Sequence, residues 1–387
     1  MKRILSAALA LIFALLGTFA ALPASAKTQT RYSAPPGYNN NDYQKLVAFL
    51  EQKDGSGVKN GKKLNSGYSP TDPSTWTGIT WYGGMVSSIE AVGKGLVGPL
   101  DLSGCSYLQN LECGDNGITS LNVSDCHGLS FLSCYDNLMT GLTAARCYSL
   151  GMVLCGGNKL TSISFPDSTD LYRLSCMENE LTSLDLRPNF MLLELYCYEN
   201  KLTSIDVSAC TQLETLNCGM NRLTSLNVSN CPRLDSLSCE SNRIKSLDLS
   251  RNPLLFFDSV TAEGNGTIAI TNIGGYTANR PLAQADSGAS FLGWYSESGT
   301  FLSSYVDLYP ESETRVIALF TGGSISIRGD ANHDGRVDTE DALIVLRAAM
   351  GISGDADSLI SNCDMDGNGR LDTTDALMIL RLALGIG

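Results

Sequence analysis

Two histidines in 387 residues, His127 and His333, leave little for chemistry that depends on imidazole. Neither a Ser-His-Asp relay nor a histidine-based zinc site can be built from one in the repetitive part of the chain and one near its end. Basic charge is also scarce: 27 Lys and Arg stand against 40 Asp and Glu, a net of −13. That balance, with no basic patch, argues against nucleic acid and anionic membrane as partners. Past Leu22 no apolar run approaches the roughly 20 residues of a membrane span.

What is present is ordered. Met1-Lys2-Arg3, an apolar run from Ile4 to Leu22 and the small-residue site Ala24-Ser25-Ala26 have the layout of a secretory signal peptide. We therefore expect residues 1–26 to be removed on export, which takes Lys2 and Arg3 away and leaves −15. An extracellular, cell-surface or complex-bound location follows from that expectation.

The middle of the chain repeats every 21 residues. Cysteines keep this step at 113, 134, 155, 176, 197, 218 and 239, asparagines at 116, 137, 158, 179, 200, 221 and 242, and leucines at 108, 129, 150, 171, 192, 213 and 234. The unit L-x-x-L-x-C-x-x-N-x-L-T-S-L-D-V-S-x-C resembles the leucine-rich repeat. Its L-x-L/C alternation points apolar side chains inward from a short strand, and T-S-L-D-V-S alternates again on the way back. The resemblance implies a solenoid of short parallel strands over residues 96–255, in which Asn hydrogen-bonds backbone where the chain leaves each strand. Such turns bury their apolar faces only against neighbours, so the ends need caps. The N-terminal linker and cap is placed at 27–95, with a helix carrying Tyr43, Leu46, Phe49 and Leu50 on one face, then strands in TWTGITWYGGMVSSI. After Leu249 the pattern fails, with Asp258 at a core leucine position.

Twelve of the thirteen cysteines lie in this region. Seven occupy the strand position. Cys105, Cys126, Cys147, Cys210 and Cys231 occupy a second one, eight residues before the next strand cysteine. Disulfides are the default suspicion in an exported chain. Yet Cys176 and Cys197 persist where the second position holds Ser168 and Asn189, so a fixed pairing would leave them alone. Buried free thiols are the favoured reading, with bridges as the alternative. The outward strand positions form a concave face that includes Phe131, Tyr135, Met152, Leu154, Met177, Glu194, Tyr196 and Tyr198. Asp115, Asp136, Glu178 and Glu199 rise along one edge of it. Aromatic and Met enrichment suits a protein or glycan ligand; strand packing with a solvated rim is the plainer reading.

From 256 to 322 the composition turns β-branched and aromatic. FLGWY from Phe291 to Tyr295, followed by a Gly turn and RVIALF, is similar to a small extracellular β module, the Listeria–Bacteroides repeat. The similarity implies a spacer or adhesive role.

The last segment, 323–387, carries the most specific pattern. DANHDGRVDTED from Asp330 and DMDGNGRLDTTD from Asp364 place oxygen side chains at loop positions 1, 3, 5, 9 and 12. These are Asp330, Asn332, Asp334, Asp338 and Asp341, then Asp364, Asp366, Asn368, Asp372 and Asp375. Gly335 and Gly369 take the sharp turn at position 6, and Arg336 and Arg370 offer a backbone carbonyl at position 7. This is an EF-hand-like calcium layout, one ion per loop, with position 9 acting through water. Each loop opens a following helix, expected at 342–350 with Leu343, Leu346 and Met350 on one face, and at 376–384 with Leu377, Leu380 and Leu384 on one face. Loop-then-helix in two copies resembles a type I dockerin, an all-α module. The resemblance implies calcium-dependent docking onto a cohesin module of a scaffold protein, as in cellulosomes. It assigns partner contacts to Thr339, Glu340, Leu346 and Arg347, and to Thr373, Thr374, Leu380 and Arg381.

These readings combine into a multidomain, non-catalytic binding protein anchored through its end. An internalin-like adhesin is the alternative. A polysaccharide-degrading enzyme fits least, because a glycosidase needs two carboxylates flanking a cleft and the acids here belong to repeats or calcium loops.

Overall fold

The computed structural model describes residues 32–257, 259–271, 280–296, 301–304, 308, 315–320, 328–332, 337–352 and 356–384. The expected signal peptide, Asp258, Asp334 and Arg336 fall outside the described residues.

The N-terminal cap begins with helix α1 (Asn40–Leu50), whose N-cap Asn39 accepts from the Asp42 backbone N–H. Its buried face is Tyr43, Leu46, Val47, Phe49 and Leu50, the periodicity expected from sequence. Two buried polar side chains tie this cap to the first strands. Asp42 accepts from Val86 N–H at 3.0 Å, anchoring α1 to strand Met85–Glu90. Asn60, at the start of the short helix α2 (Asn60–Leu64), donates to Phe49 and Val97 carbonyls and accepts from Val97 N–H.

Strands Ile79–Tyr82 and Met85–Glu90 form an antiparallel pair that opens a nine-stranded sheet. The other seven strands are three residues each and parallel, and successive partners step by 21, as in Phe131↔Met152↔Arg173↔Glu194↔Thr215. Their central residues (Leu111, Leu132, Val153, Leu174, Leu195, Leu216, Leu237) are fully buried. This is the leucine-rich repeat solenoid. The return stretch is less regular: Val97–Asp101, Gly117–Asn122 and Gly141–Thr143 make a parallel sheet, the equivalent stretches at 162–164, 183–185, 204–206 and 225–227 have no strand, and the last, Ser246–Asp248, is a strand again.

The same step governs the asparagines. Asn200 donates to the carbonyls of Cys176, Cys197 and Tyr198 and accepts from Leu181 N–H. Asn137, Asn158, Asn179, Asn221 and Asn242 repeat the pattern. One side chain thus closes its own turn and binds the turn before it. The second cysteine column works the same way. Cys126 and Cys147 donate their S–H to Leu102 and Val123 carbonyls at 3.2 and 3.1 Å. Ser168 donates to Cys147, and Asn189 to Phe165 and Ser168. The irregularity seen in sequence is therefore a column of donors, in which thiol, hydroxyl and amide substitute for one another. All thirteen cysteines are free and buried. Burial pushes the Cys113, Cys155, Cys197 and Cys239 thiols up to about 12.

The repeat runs further than its sequence pattern. Asn252 continues the second column, donating to Val228 and Cys231, and Leu255 is buried 21 residues after Leu234. Ser246–Asp248 then pairs with Ser259–Glu263, which joins Arg315–Phe320, Phe291–Ser296 and Phe301–Ser303 in a five-stranded sheet. The hairpin Gly266–Thr271/Arg280–Ala285 meets the last ladder strand where Cys239 N–H donates to Ile270. Ile268, Ile270, Trp294, Val316 and Phe320 share one core with the solenoid, so this segment covers its open end.

The terminal segment has its own core of Ala331, Ala342, Val345, Cys363, Ala376 and Ile379. Its helices are α3 (Thr339–Ala349), α4 (Ala356–Cys363) and α5 (Thr373–Ala383). Helix α4 adds a third helix to the two expected from sequence. Leu343, Met350, Leu377 and Leu384 are 45–56% exposed, and the side of α3 and α5 that carries Ala342, Val345, Ala376 and Ile379 packs inward. Small residues there let α3 and α5 approach closely, which turns the longer side chains outward.

Candidate metal centre and interaction surfaces

The second acidic loop comes directly after α4. Asp364, Asp366 and Asp375 each offer a carboxylate oxygen, all within 4.8 Å of one another. Oxygens bound to one calcium at about 2.3–2.6 Å lie no more than about 5 Å apart, so these three fit a single ion. The donor set is oxygen only, which suits a hard cation. Asp364 accepts from Gly367, Asn368 and Gly369 N–H groups. Burial opposes its charge, but these donors outweigh it and hold the carboxyl below its ordinary range. Asn368 donates to Asp366, and its carbonyl accepts from Arg370 N–H.

Position 12 does more than its place in the ligand pattern implies. Asp375 is fully buried, and its carboxylate accepts from Met365, Asp366 and Asp372 N–H groups. Asp341 accepts identically from Ala331, Asn332 and Asp338. Each closes its loop by gathering positions 2, 3 and 9. Position 9 has a second role as well: Asp338 and Asp372 cap α3 and α5, accepting from Glu340 and Thr374 N–H in complete capping boxes. The Thr374 N–H bond lowers the Asp372 carboxyl. The sequence signal for this is the D-x-x-D spacing, which also fits ligands alone. In the first loop Asp330 is fully buried and Asn332 partly buried.

Of the residues expected to touch a partner, Thr339, Glu340, Arg347, Thr373, Thr374 and Arg381 are exposed, and Leu346 and Leu380 are half-buried. The outward leucines Leu343 and Leu377 extend the same two helices.

On the solenoid, Phe131, Tyr135, Met152, Met177, Glu194, Tyr196 and Tyr198 are half-buried, whereas Glu178 and Glu199 are exposed. Glu178 and Glu199, with Asp115, Asp136, Met220 and Ser241, occupy one column of left-handed backbone, φ 47–55°. Only Gly157 in that column hints at it. Tyr135 lies flat over Gly114, where any Cβ would stand 2.5 Å from the ring. Arg173, missed in sequence, sits 5.4 Å from the Tyr196 ring and forms an ion pair with Glu194 at 3.4 Å, and Tyr196 donates to Glu194 at 3.1 Å. A second aromatic set is also missed because, apart from Tyr82 at the end of its strand, it lies outside the strands. Tyr82 stacks on Tyr107 at 5.7 Å and His127 on Tyr148 at 5.5 Å, with Tyr172 and Phe190 exposed beyond them. Among the described residues no helix is long and apolar enough to cross a membrane.

The profile described as the dockerin type I domain matches residues 328–382. Similar solved structures include the functional domain of InlJ from Listeria monocytogenes, which has a cysteine ladder. It is 32% identical over 39% of this chain and 39% of that one, with a TM-score of 0.36. YopM from Yersinia pestis, a leucine-rich effector protein, is 18% identical over 54% and 56%, TM-score 0.37. A leucine-rich repeat protein of Leptospira interrogans is 19% identical over 46% and 56%, TM-score 0.35. The chain spans about two fifths of the first and just over half of the other two. Among curated proteins no match is found.

Proposed function

We propose, with the type I dockerin domain at 328–382 as premise, that the chain is an exported, non-catalytic binding protein. A dockerin docks onto a cohesin module, and the solenoid carries an interaction surface for a protein or polysaccharide. The observation that carries this reading is the duplicated loop, each copy pinned by a buried position-12 carboxylate, with Asp364, Asp366 and Asp375 close enough to share one cation.

Two calcium ions are proposed. Asp364, Asp366, Asn368, Asp375 and the Arg370 carbonyl would hold one; Asp330, Asn332, Asp334, Asp341 and the Arg336 carbonyl would hold the other. Bound calcium supplies the positive charge that lets several carboxylates pack together. The chain's own contribution is the N–H framework that aims those carboxylates and the paired capping boxes that join loop to helix. Thr339, Glu340, Leu346 and Arg347, with Thr373, Thr374, Leu380 and Arg381, are proposed as the cohesin contacts. For the solenoid ligand we propose the concave surface around Phe131, Tyr135, Met152, Met177, Tyr196 and Tyr198, flanked by Glu178, Glu194 and Glu199. Two histidines, and acids distributed over separate rungs, support a non-catalytic role.

The test is binding of the full chain to a panel of cohesins in calcium. Binding is expected with at least one, and is expected to vanish in chelator and in Asp330→Ala/Asp364→Ala. Binding that survives chelator would sink the reading. Capture of a host receptor by the solenoid, in place of wall glycan or scaffold protein, would favour an adhesin.

A further inference from the structure

The two acidic loops are joined by bonds that neither loop pattern requires. Arg328 stands two residues before Asp330, and Asn362 two residues before Asp364; they occupy equivalent places in the two copies. Each reaches across to the other loop. Arg328 donates through Nη2 to the Asp364 and Met365 carbonyls at 3.0 and 2.8 Å. Asn362, 6% exposed, donates to the Asp330 carbonyl at 2.8 Å and accepts through its own backbone carbonyl from Gly329 N–H at 2.8 Å. The first residue of each loop is therefore held by the entrance to its partner.

We propose that Arg328 and Asn362 are positioning residues that couple the two loops, so that calcium binding is cooperative. The inference rests on the calcium reading above. Placing the Asp330 side chain on a cation fixes its backbone, and the buried Asn362 amide is bonded to that backbone. Asn362 is separated from Asp364 by one residue, so ordering passes directly into the second loop. Arg328 carries the same ordering the other way, from the Asp364 and Met365 carbonyls to the segment that enters Asp330. Gly329 tightens the junction: it has φ 94°, and a Cβ there would stand 3.3 Å from Ile379 and 3.6 Å from Met365 Sδ. Ligation of one loop then removes conformational freedom the other would otherwise lose on binding, which is positive coupling, and it must be reciprocal.

The experiment is calorimetric titration of the full chain with calcium chloride, run as a thermodynamic cycle. Asp364→Ala, which disables the second loop, should weaken the first by about tenfold, within the usual range of coupling. In Arg328→Ala/Asn362→Ala the same change should weaken the first loop less than about twofold. Arg328→Lys, which keeps a cationic donor, should restore part of the coupling. Helix content at saturating calcium separates coupling from misfolding. If Asn362→Ala does not fold, the exposed Arg328→Ala alone, with Asp330→Ala as the disabled loop, runs the cycle in the other direction. Equal first-loop affinity with and without Asp364 would overturn the coupling, as would a tenfold loss that persists without the two positioning residues. Absence of any calcium uptake by the unaltered chain would instead defeat the calcium reading itself.

Discussion

The solenoid and the terminal domain are both made by duplication, seven copies in one case and two in the other, yet different forces join the copies. In the solenoid, neighbours are joined by neutral groups: buried leucines and thiols, and an Asn amide that gives three hydrogen bonds and accepts one. In the terminal domain each copy is organised around carboxylates: Asp330, Asp341 and Asp375 are fully buried, and the hydrophobic core is small, with three alanines among its six buried residues. A neutral junction is complete when the chain folds. A carboxylate junction needs a cation to offset the charge it concentrates. The first suits a surface that is complete on folding, and the second fits the calcium-dependent dock proposed above.

The largest effect should come from breaking the charged junction. Asp375→Ala removes the acceptor of three N–H groups and a proposed ligand. Calcium-dependent helix formation in the terminal domain should be lost, with the solenoid's unfolding midpoint unchanged; circular dichroism with and without calcium reads both.

Next comes the neutral junction. Asn200→Ala strands three carbonyls and the Leu181 N–H, at a cost on the order of 3 kcal/mol, and calcium affinity should not move. Denaturant unfolding checks the first half and calcium titration the second.

A pH series separates the regions at its alkaline end. Solenoid thiols are raised to about 12, above the unfolded value near 8.5, so their stabilisation is whole below that pH and lost as pH climbs through the folded value. In the terminal domain Asp364 and Asp372 are depressed, opposed by burial in the first and driven mainly by the Thr374 N–H in the second. Their contribution is present above the ordinary carboxyl range and lost as pH falls below it. Alkali should therefore weaken the solenoid, with its columns of raised thiols, more than the terminal domain, where Cys363 is raised, whereas acid weakens both, since Asp185 in the solenoid is depressed too.

The smallest effect distinguishes the two cysteine columns. Cys147→Ser keeps a donor to the Val123 carbonyl and should cost under about 1 kcal/mol. Cys197→Ser puts a hydroxyl into an apolar column and should cost about 2 kcal/mol. Melting temperatures of the two variants give the ranking.

Much of this is legible in sequence because repetition amplifies weak signals. Leu195 or Asn200 alone says little; seven in step specify a strand and its closure. The duplication of the acidic loops is legible for the same reason. Where the signal is not periodic, it is lost. Which side of α3 and α5 packs inward is not legible, because helical spacing alone does not say whether Leu343 or Val345 faces the partner helix. The left-handed column escapes because Asp, Glu, Met and Ser fill it and only Gly157 marks it. Arg173 escapes because a cation at an outward position looks like solvent decoration until Tyr196 and Glu194 are placed beside it. The closing β segment is legible as strands, but not as part of the solenoid's core, since its contacts to Cys239 come from residues 31 positions away.

Amide hydrogen exchange on the full chain, with calcium and then with chelator, tests the division most directly. Protection in α3, α4 and α5 should collapse on chelation, while the amides bonded to the asparagine column, Leu160, Leu181, Leu202 and Leu223, keep theirs. Equal loss of protection in both regions, or none in the three helices, would contradict the account.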